Sequence, residues 1–179
     1  SMSNTSFQRI FYSVEETQKH YADIAMGRPP ENPFLWTACW TLQDPTRAPE
    51  GKHTLIIDTF VPNTLQGNKS WEAIKNDFAA LLMKKLREYT TNMGPENILA
   101  EYIDTPISIE RANPCLVGGS TTGGERTLSQ TGYFRPLPGY SQYRGPLDRM
   151  YLTDASCHPG GGITAMGLVT ASEILSDFE

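Results

Sequence analysis

Between Asn113 and Pro146 the chain holds seven glycines and four prolines. Glycine loses more conformational freedom on ordering than any other residue, and proline removes a backbone donor. No helix or sheet strand of ordinary length survives that density, so the regular elements of this 179-residue chain are pushed to the two flanks. A structureless stretch of this length is uncommon as idle packing in a compact domain and generally covers a site or a partner surface. The chain therefore divides into residues 1–112, a Gly/Pro-rich covering loop at 113–148, and a returning segment at 149–179.

On the amino-terminal flank the punctuation is clear. Ser13 can cap a helix from Val14 to about Met26, with Glu16 as the reach-back arm of a capping box, and Gly27 with Pro29-Pro30 stops it. Phe34–Leu42 has the aromatic and β-branched content of a strand. A loop with Pro45, Pro49 and Gly51 leads to a second strand at about His53–Val61, and the two are expected to pair antiparallel. Ser70 caps the clearest helix, in which Trp71, Ile74, Phe78, Leu81, Leu82, Leu86 and Tyr89 recur at three- and four-residue steps. Ile98–Ile103 reads as a strand, and Thr105-Pro106 opens a short helix through about Arg111. Beyond the loop, Arg149–Thr153 reads as a strand, Ala155–Gly162 as a tight turn and Thr164 to about Ser176 as a helix. The fold class is α+β: an antiparallel-containing sheet with helices on one face, plus a carboxy-terminal strand, glycine-rich turn and helix.

Composition removes several functions. Fifteen basic against twenty acidic side chains leave a net charge of -5, which gives nucleic acid or an anionic membrane no electrostatic support. Apolar runs such as Leu55-Ile56-Ile57 are far too short to span a bilayer. Ser1-Met2-Ser3 carries neither a basic nor an apolar leader region, and a serine ahead of a methionine resembles a tag-cleavage scar on an excised piece. Cys39, Cys115 and Cys157 are scattered and lack C-x-x-C spacing, so they read as free thiols of a cytoplasmic or otherwise intracellular protein, with no metal site. Gly67-Asn68-Lys69-Ser70 lacks the G-K-[ST] of a phosphate loop and is a turn with a cap. Gly118–Gly124 precedes no helix and reads as a flexible loop. His20 and His53 stand alone in separate elements and read as packed or surface residues, and no Ser/His/Asp or paired-carboxylate set identifies a catalytic residue.

Most of the chemistry is concentrated in Tyr151-Leu-Thr-Asp-Ala-Ser-Cys-His-Pro-Gly-Gly-Gly-Ile-Thr-Ala-Met-Gly167. A strand, a turn with three consecutive glycines and a helix bring backbone N–H groups to a helix N-terminus, where the summed peptide dipoles favour negative charge. Without side chains at Gly160, Gly161 and Gly162 a flat ligand can approach the main chain. Such a turn suits an electron-rich ring edge that gains charge on reduction.

The same residues resemble the carboxy-terminal flavin signature of phytoene-desaturase-like FAD enzymes, which runs roughly Y-L-x-G-A-S-x-H-P-G-G-G-x-x-G-x-x-G. Upstream, Met26-Gly27-Arg28-Pro29-Pro30, Asp44-Pro45-Thr46-Arg47-Ala48-Pro49, Gly51-Lys52-His53, Thr105-Pro106, Arg135-Pro136 and Tyr143-Arg144 match in order. The resemblance implies a flavin oxidoreductase that moves a hydride from a substrate C–H to FAD, with a desaturase of an apolar or isoprenoid-like small molecule as one form. It implies that residues 1–112 belong to a substrate domain and that 149–179 returns to the FAD-binding domain. Asp154, Ala155, Pro159, Gly160, Gly161, Gly162, Ile163 and Thr164 would face the cofactor, with the N–H groups near Gly162 and Ile163 at the pyrimidine edge. The amino-terminal G-x-G-x-x-G segment that holds the ADP moiety would be the partner in cis, and this chain without it is expected to be inactive. Three positions depart from the pattern. Asp154 stands in place of a glycine and suits ribityl hydroxyls, while Ala165 and Leu168 replace two later glycines. Deprived of that partner in cis, the Gly-rich loop and the final helix are expected to be mobile or rearranged and free to meet another copy. The rival reading is a stand-alone binding or interaction module that never meets flavin.

Overall fold

The structure, a computed structural model, describes residues 7–124, 127–160 and 165–179. It comprises two compact units, Ser1–Thr105 and Pro106–Glu179.

The first unit is built on a three-stranded antiparallel sheet in the order β1 (Phe7–Ile10), β2 (Leu35–Ala38), β3 (Ile56–Asp58). Strand β1 was not anticipated; its apolar–polar alternation spans four residues, too short to stand out from a loop. Register pairs Ile10 with Leu35 and Ile57 with Thr37, and this face carries the core. Ile10, Leu35 and Leu86 are buried, the last two completely, and Ile57, Leu82 and Met83 pack around them. The other face presents Phe7, Arg9 and Trp36, with the Arg9 guanidinium 5.1 Å from the Trp36 ring and the two aromatic rings edge-on.

Both long helices start where their capping residues put them. Helix α1 (Val14–Ala25) begins with the Glu16 N–H donating to Ser13 Oγ at 3.1 Å. The expected return arm is used elsewhere, because the Glu16 carboxylate accepts from Asn32 Nδ2 at 2.8 Å. Past the end of α1, Arg28 folds back to buried Asp23 at 2.8 Å, and Lys19 joins from the other side at 3.1 Å. Burial works against the Asp23 carboxylate, yet Arg28 and Lys19 hold it below its ordinary range. Helix α2 (Trp71–Arg87) is capped by Ser70, whose hydroxyl accepts from the Ala73 N–H, and its Trp71 indole donates to the Pro62 carbonyl at 2.9 Å.

Two expected strands are trimmed and one is missing. Phe34–Leu42 is extended only over Leu35–Ala38, because Trp40–Leu42 tightens into a 3₁₀ turn whose Trp40 carbonyl accepts from Gln43 and Asp44. His53–Val61 pairs only at Ile56–Asp58, which ends at the register with Trp36. Ile98–Ile103 forms no strand: Leu99 and Tyr102 are exposed, so its apolar residues were not a buried face.

The second unit holds α3 (Pro106–Ala112) and α4 (Met166–Phe178), joined by turns with short 3₁₀ segments at Val117–Gly119, Leu128–Gln130 and Gly132–Phe134. Arg149–Thr153 is reduced to one bridge, Tyr151 against Arg144. The observed class is α+β with an antiparallel sheet.

Truncating Leu86 to Ala removes a side chain with no solvent exposure between α2 and the sheet and should cost about 2–5 kcal/mol, read by urea unfolding. His20 is 2% exposed, stacked on Phe34 at 4.2 Å between ring centres, and burial lowers its pKa despite the Phe60 backbone and Asp23. The unfolded imidazole therefore takes up a proton before the folded one does. Stability should be unaffected by this group well above its ordinary pKa of about 6.5 and fall as pH drops below it. Denaturation midpoints across that range should lose this dependence in His20→Phe.

Candidate functional site

The turn from Asp154 to Gly160 is an internally bonded knot rather than an open loop. Asp154 Oδ1 accepts from the Ser156 N–H at 2.7 Å, from the Ser156 hydroxyl and from the Cys157 thiol, while the Cys157 N–H donates to the Asp154 carbonyl at 3.0 Å. The Ser156 hydroxyl, with the backbone N–H, holds the exposed Asp154 carboxyl below the usual carboxylate range against partial burial, so it is charged at neutral pH. The Cys157 thiol points inward, and burial pushes its pKa up, so it stays protonated and unreactive.

One side chain that motif reading passed over organises this turn. Arg135, only 2% exposed, donates through Nη2 to the carbonyls of Ala155 at 2.8 Å, Thr122 at 2.7 Å and Gly123 at 2.6 Å, and through Nη1 to Gln130 at 3.2 Å. Its stem lies against Gly160, where an added Cβ would sit 2.9 Å from Nε. Gly160 has φ of +82°, so both its backbone conformation and its neighbour require glycine. The missing side chain at Gly160, expected to admit a ligand, is accounted for by Arg135. The only sequence signal for Arg135 was its place in the matching Arg135-Pro136 pair.

The glycine-rich run is folded against the same turn. A Cβ at Gly123 would lie 2.6 Å from the Ser156 nitrogen, and one at Gly119 2.5 Å from the Pro106 Cα. Ser120 Oγ bridges the run by accepting from the Gly124 N–H and donating to the Gly124 carbonyl, both at 3.2 Å. Of the expected cofactor-facing set, Asp154, Ala155, Pro159 and Gly160 are brought into one turn. Gly161, Gly162, Ile163 and Thr164 lie outside the described residues.

The helix that follows is pinned at its far end. Arg144 pairs with Asp177 through Nε and Nη2 at 2.8 and 2.7 Å and with Glu173 through Nη1 at 2.7 Å. The Tyr151 hydroxyl donates to Asp177 at 2.8 Å. Arg144, and then Tyr151, hold the Asp177 carboxyl low, and Asp177 in turn raises the Tyr151 pKa. Next to this clasp, His158 lines an open cleft of about 440 Å³ with Tyr133, Ser141, Tyr143 and Glu173.

No protein-family model matches the chain. Individual relatives do. A mouse "pyridine nucleotide-disulfide oxidoreductase domain-containing protein 2" is 33% identical over 95% of this chain and 30% of its own length. A limonene dehydrogenase polypeptide of Castellaniella defragrans is 31% identical over 96% of the chain and 32% of its own length. "Phytoene desaturase (neurosporene-forming)" of Rhodobacter capsulatus is 26% identical over 83% of the chain and 28% of its own length. The chain belongs to the phytoene-desaturase-like oxidoreductases.

This phytoene-desaturase-like chain spans about 30% of the length of the curated relatives it matches. Its family-like pieces outside the turn hold the fold together: Arg28 anchors Asp23, Asp44 accepts from Thr46 and Arg47, and Arg144 clasps α4. Thr41 joins His53 Nδ1 at 3.0 Å and Cys39 Sγ at 3.4 Å, so His53 is an exposed histidine held by one hydrogen bond. Among the three departures from the family pattern, Leu168 is 72% exposed within its own unit, Ala165 is exposed as well, and Asp154 has the bonds described. No helix among the described residues is long and apolar enough to cross a membrane.

Two adjacent glycines give a direct test of this packing. Gly123→Ala should destabilise the second unit strongly, since its methyl would meet the Ser156 backbone and the residue has φ of +71°. Gly124→Ala opens onto empty space and should cost only the left-handed strain, about 1 kcal/mol. Thermal melts of the two variants should rank in that order.

Proposed function

We propose that this chain forms one wall of the FAD site in an oxidoreductase that removes a hydride from a substrate C–H. In this reading residues 1–112 are a substrate-domain portion, 113–148 a covering loop and 149–179 the returning strand, turn and helix of the FAD-binding domain. The observation that carries it is the Asp154–Gly160 turn, held rigid immediately ahead of the α4 segment, in a chain aligned over 95% of its length with an oxidoreductase-domain protein.

The described donor set fits such a group at one end. Asp154 is exposed and ionised, and its Oδ1 alone takes the turn's own bonds, so the carboxylate suits neutral hydroxyls of a ribityl chain and would repel a pyrophosphate. When bound, FAD would supply the hydride acceptor. The protein's part is to hold the turn in place, to offer backbone N–H groups near Gly162 and Ile163, and to exclude water beneath the covering loop. No side chain is assigned to proton transfer. The names limonene dehydrogenase and phytoene desaturase among the relatives favour an apolar, isoprenoid-like substrate. The nucleotide-binding segment that supplies most dinucleotide affinity would act in cis, so these 179 residues alone should bind FAD weakly and be inactive.

The test is flavin content. The full-length protein should purify with FAD, and Gly161→Val or Gly162→Val should empty the site. The lost charge-assisted contact is worth about 1.5–3 kcal/mol, roughly ten- to hundredfold in affinity, before any clash is added. Asp154→Ala should weaken FAD less. Unchanged FAD content in both valine variants would remove these residues from the site. Tight stoichiometric FAD binding by residues 1–179 alone would refute the two-piece arrangement.

A further inference from the structure

We propose that Arg135 is the positioning residue for the cofactor-facing turn, coupling it to the glycine-rich run so that the two segments order or loosen as one. The proposal rests on the flavin reading above for its functional consequence, and on geometry alone for the coupling.

Arg135 touches the turn at both ends. The Ala155 carbonyl, one residue after Asp154, accepts from Nη2 at 2.8 Å, and Gly160 at the other end lies against Nε and Cδ. The same nitrogen donates to Thr122 and Gly123, more than thirty residues earlier in the chain than Ala155. Two hydrogens on one nitrogen are thus shared among three carbonyls, and Nη1 adds Gln130. Gly123 closes the contact from its own side, because it has no Cβ to keep Ser156 away. A planar guanidinium has the fixed fork this requires, whereas a lysine ammonium offers one compact nitrogen. A residue that merely filled space would make none of these directed bonds to two separate segments.

The consequence concerns binding. If the turn must be ordered before a flavin can settle against it, loosening the glycine-rich run loosens the cofactor, although that run need not touch it. Arg135 then acts through Ala155 and Gly160 rather than on the reacting atoms.

The experiment uses the full-length protein with Arg135→Ala, Arg135→Lys and Gly160→Ala. Two quantities are read: the FAD dissociation constant with the shape of the bound flavin's visible absorption band, and amide hydrogen exchange in residues 118–124 and 155–160 of the flavin-stripped protein. Arg135→Ala should weaken FAD at least about tenfold and speed exchange in both segments together, and low, non-denaturing guanidinium should restore both. Arg135→Lys should recover neither fully. Gly160→Ala keeps the arginine but pushes on it, and it serves if Arg135→Ala does not fold; it should produce the same paired loosening. Faster exchange in one segment alone, full recovery by lysine, or wild-type FAD affinity in Arg135→Ala would overturn the proposal. A wild-type protein that binds no FAD would overturn the flavin reading instead, and the exchange data would still decide the coupling.

Discussion

The carboxy-terminal unit depends on how one buried guanidinium satisfies backbone carbonyls that no ladder reaches. Among the described residues between α3 and α4 there is almost no repetitive hydrogen bonding, and a carbonyl left unpaired away from water costs on the order of 1–3 kcal/mol. Arg135 takes four of them, from residues 122, 123, 130 and 155. Smaller side chains repeat the device locally. Ser120 accepts the Gly124 N–H, Asn113 Oδ1 accepts the Cys115 N–H, and Asp154 accepts the Ser156 N–H. A network of side chain to backbone bonds replaces the sheet and helix ladders that shape the first unit.

This difference explains what could be read from the residues and what could not. The starts of helices α1 and α2 were legible to the residue because Ser13 and Ser70 mark them, and the apolar stripe of α2, read through Tyr89, runs two residues past its observed end at Arg87. Strand lengths were not legible, since pairing ends where a partner ends: β2 stops when Trp40 turns into a 3₁₀ segment, and β3 stops opposite Trp36. Ile98–Ile103 carried the right residue types and had no neighbour to pair with. The helix after the glycine turn was visible, with its described part starting at Met166, although Ala165 offers it no side-chain cap.

For the site, sequence was informative about place and silent about cause. A glycine looks the same whether its missing side chain makes room for a ligand or for the protein itself. At Gly160 the space belongs to Arg135, and at Gly123 it belongs to Ser156. Arg135 could not be recognised as their common neighbour, because its partners are backbone atoms and backbone atoms leave no compositional trace. Asp154, a departure from the family pattern, is legible in hindsight: the carboxylate followed two residues later by Ser156 is the local geometry of an Asx turn.

The three thiols are unequally placed. Cys39 and Cys157 are buried, and the Cys157 pKa is raised, whereas Cys115 is exposed at the entry to the glycine- and proline-rich stretch. A maleimide dye or nitroxide spin label applied under native conditions would therefore report from one address in this chain without any engineered cysteine. Movement of that stretch can be followed by anisotropy or electron paramagnetic resonance in the unaltered sequence, a probe that its own burial pattern has installed.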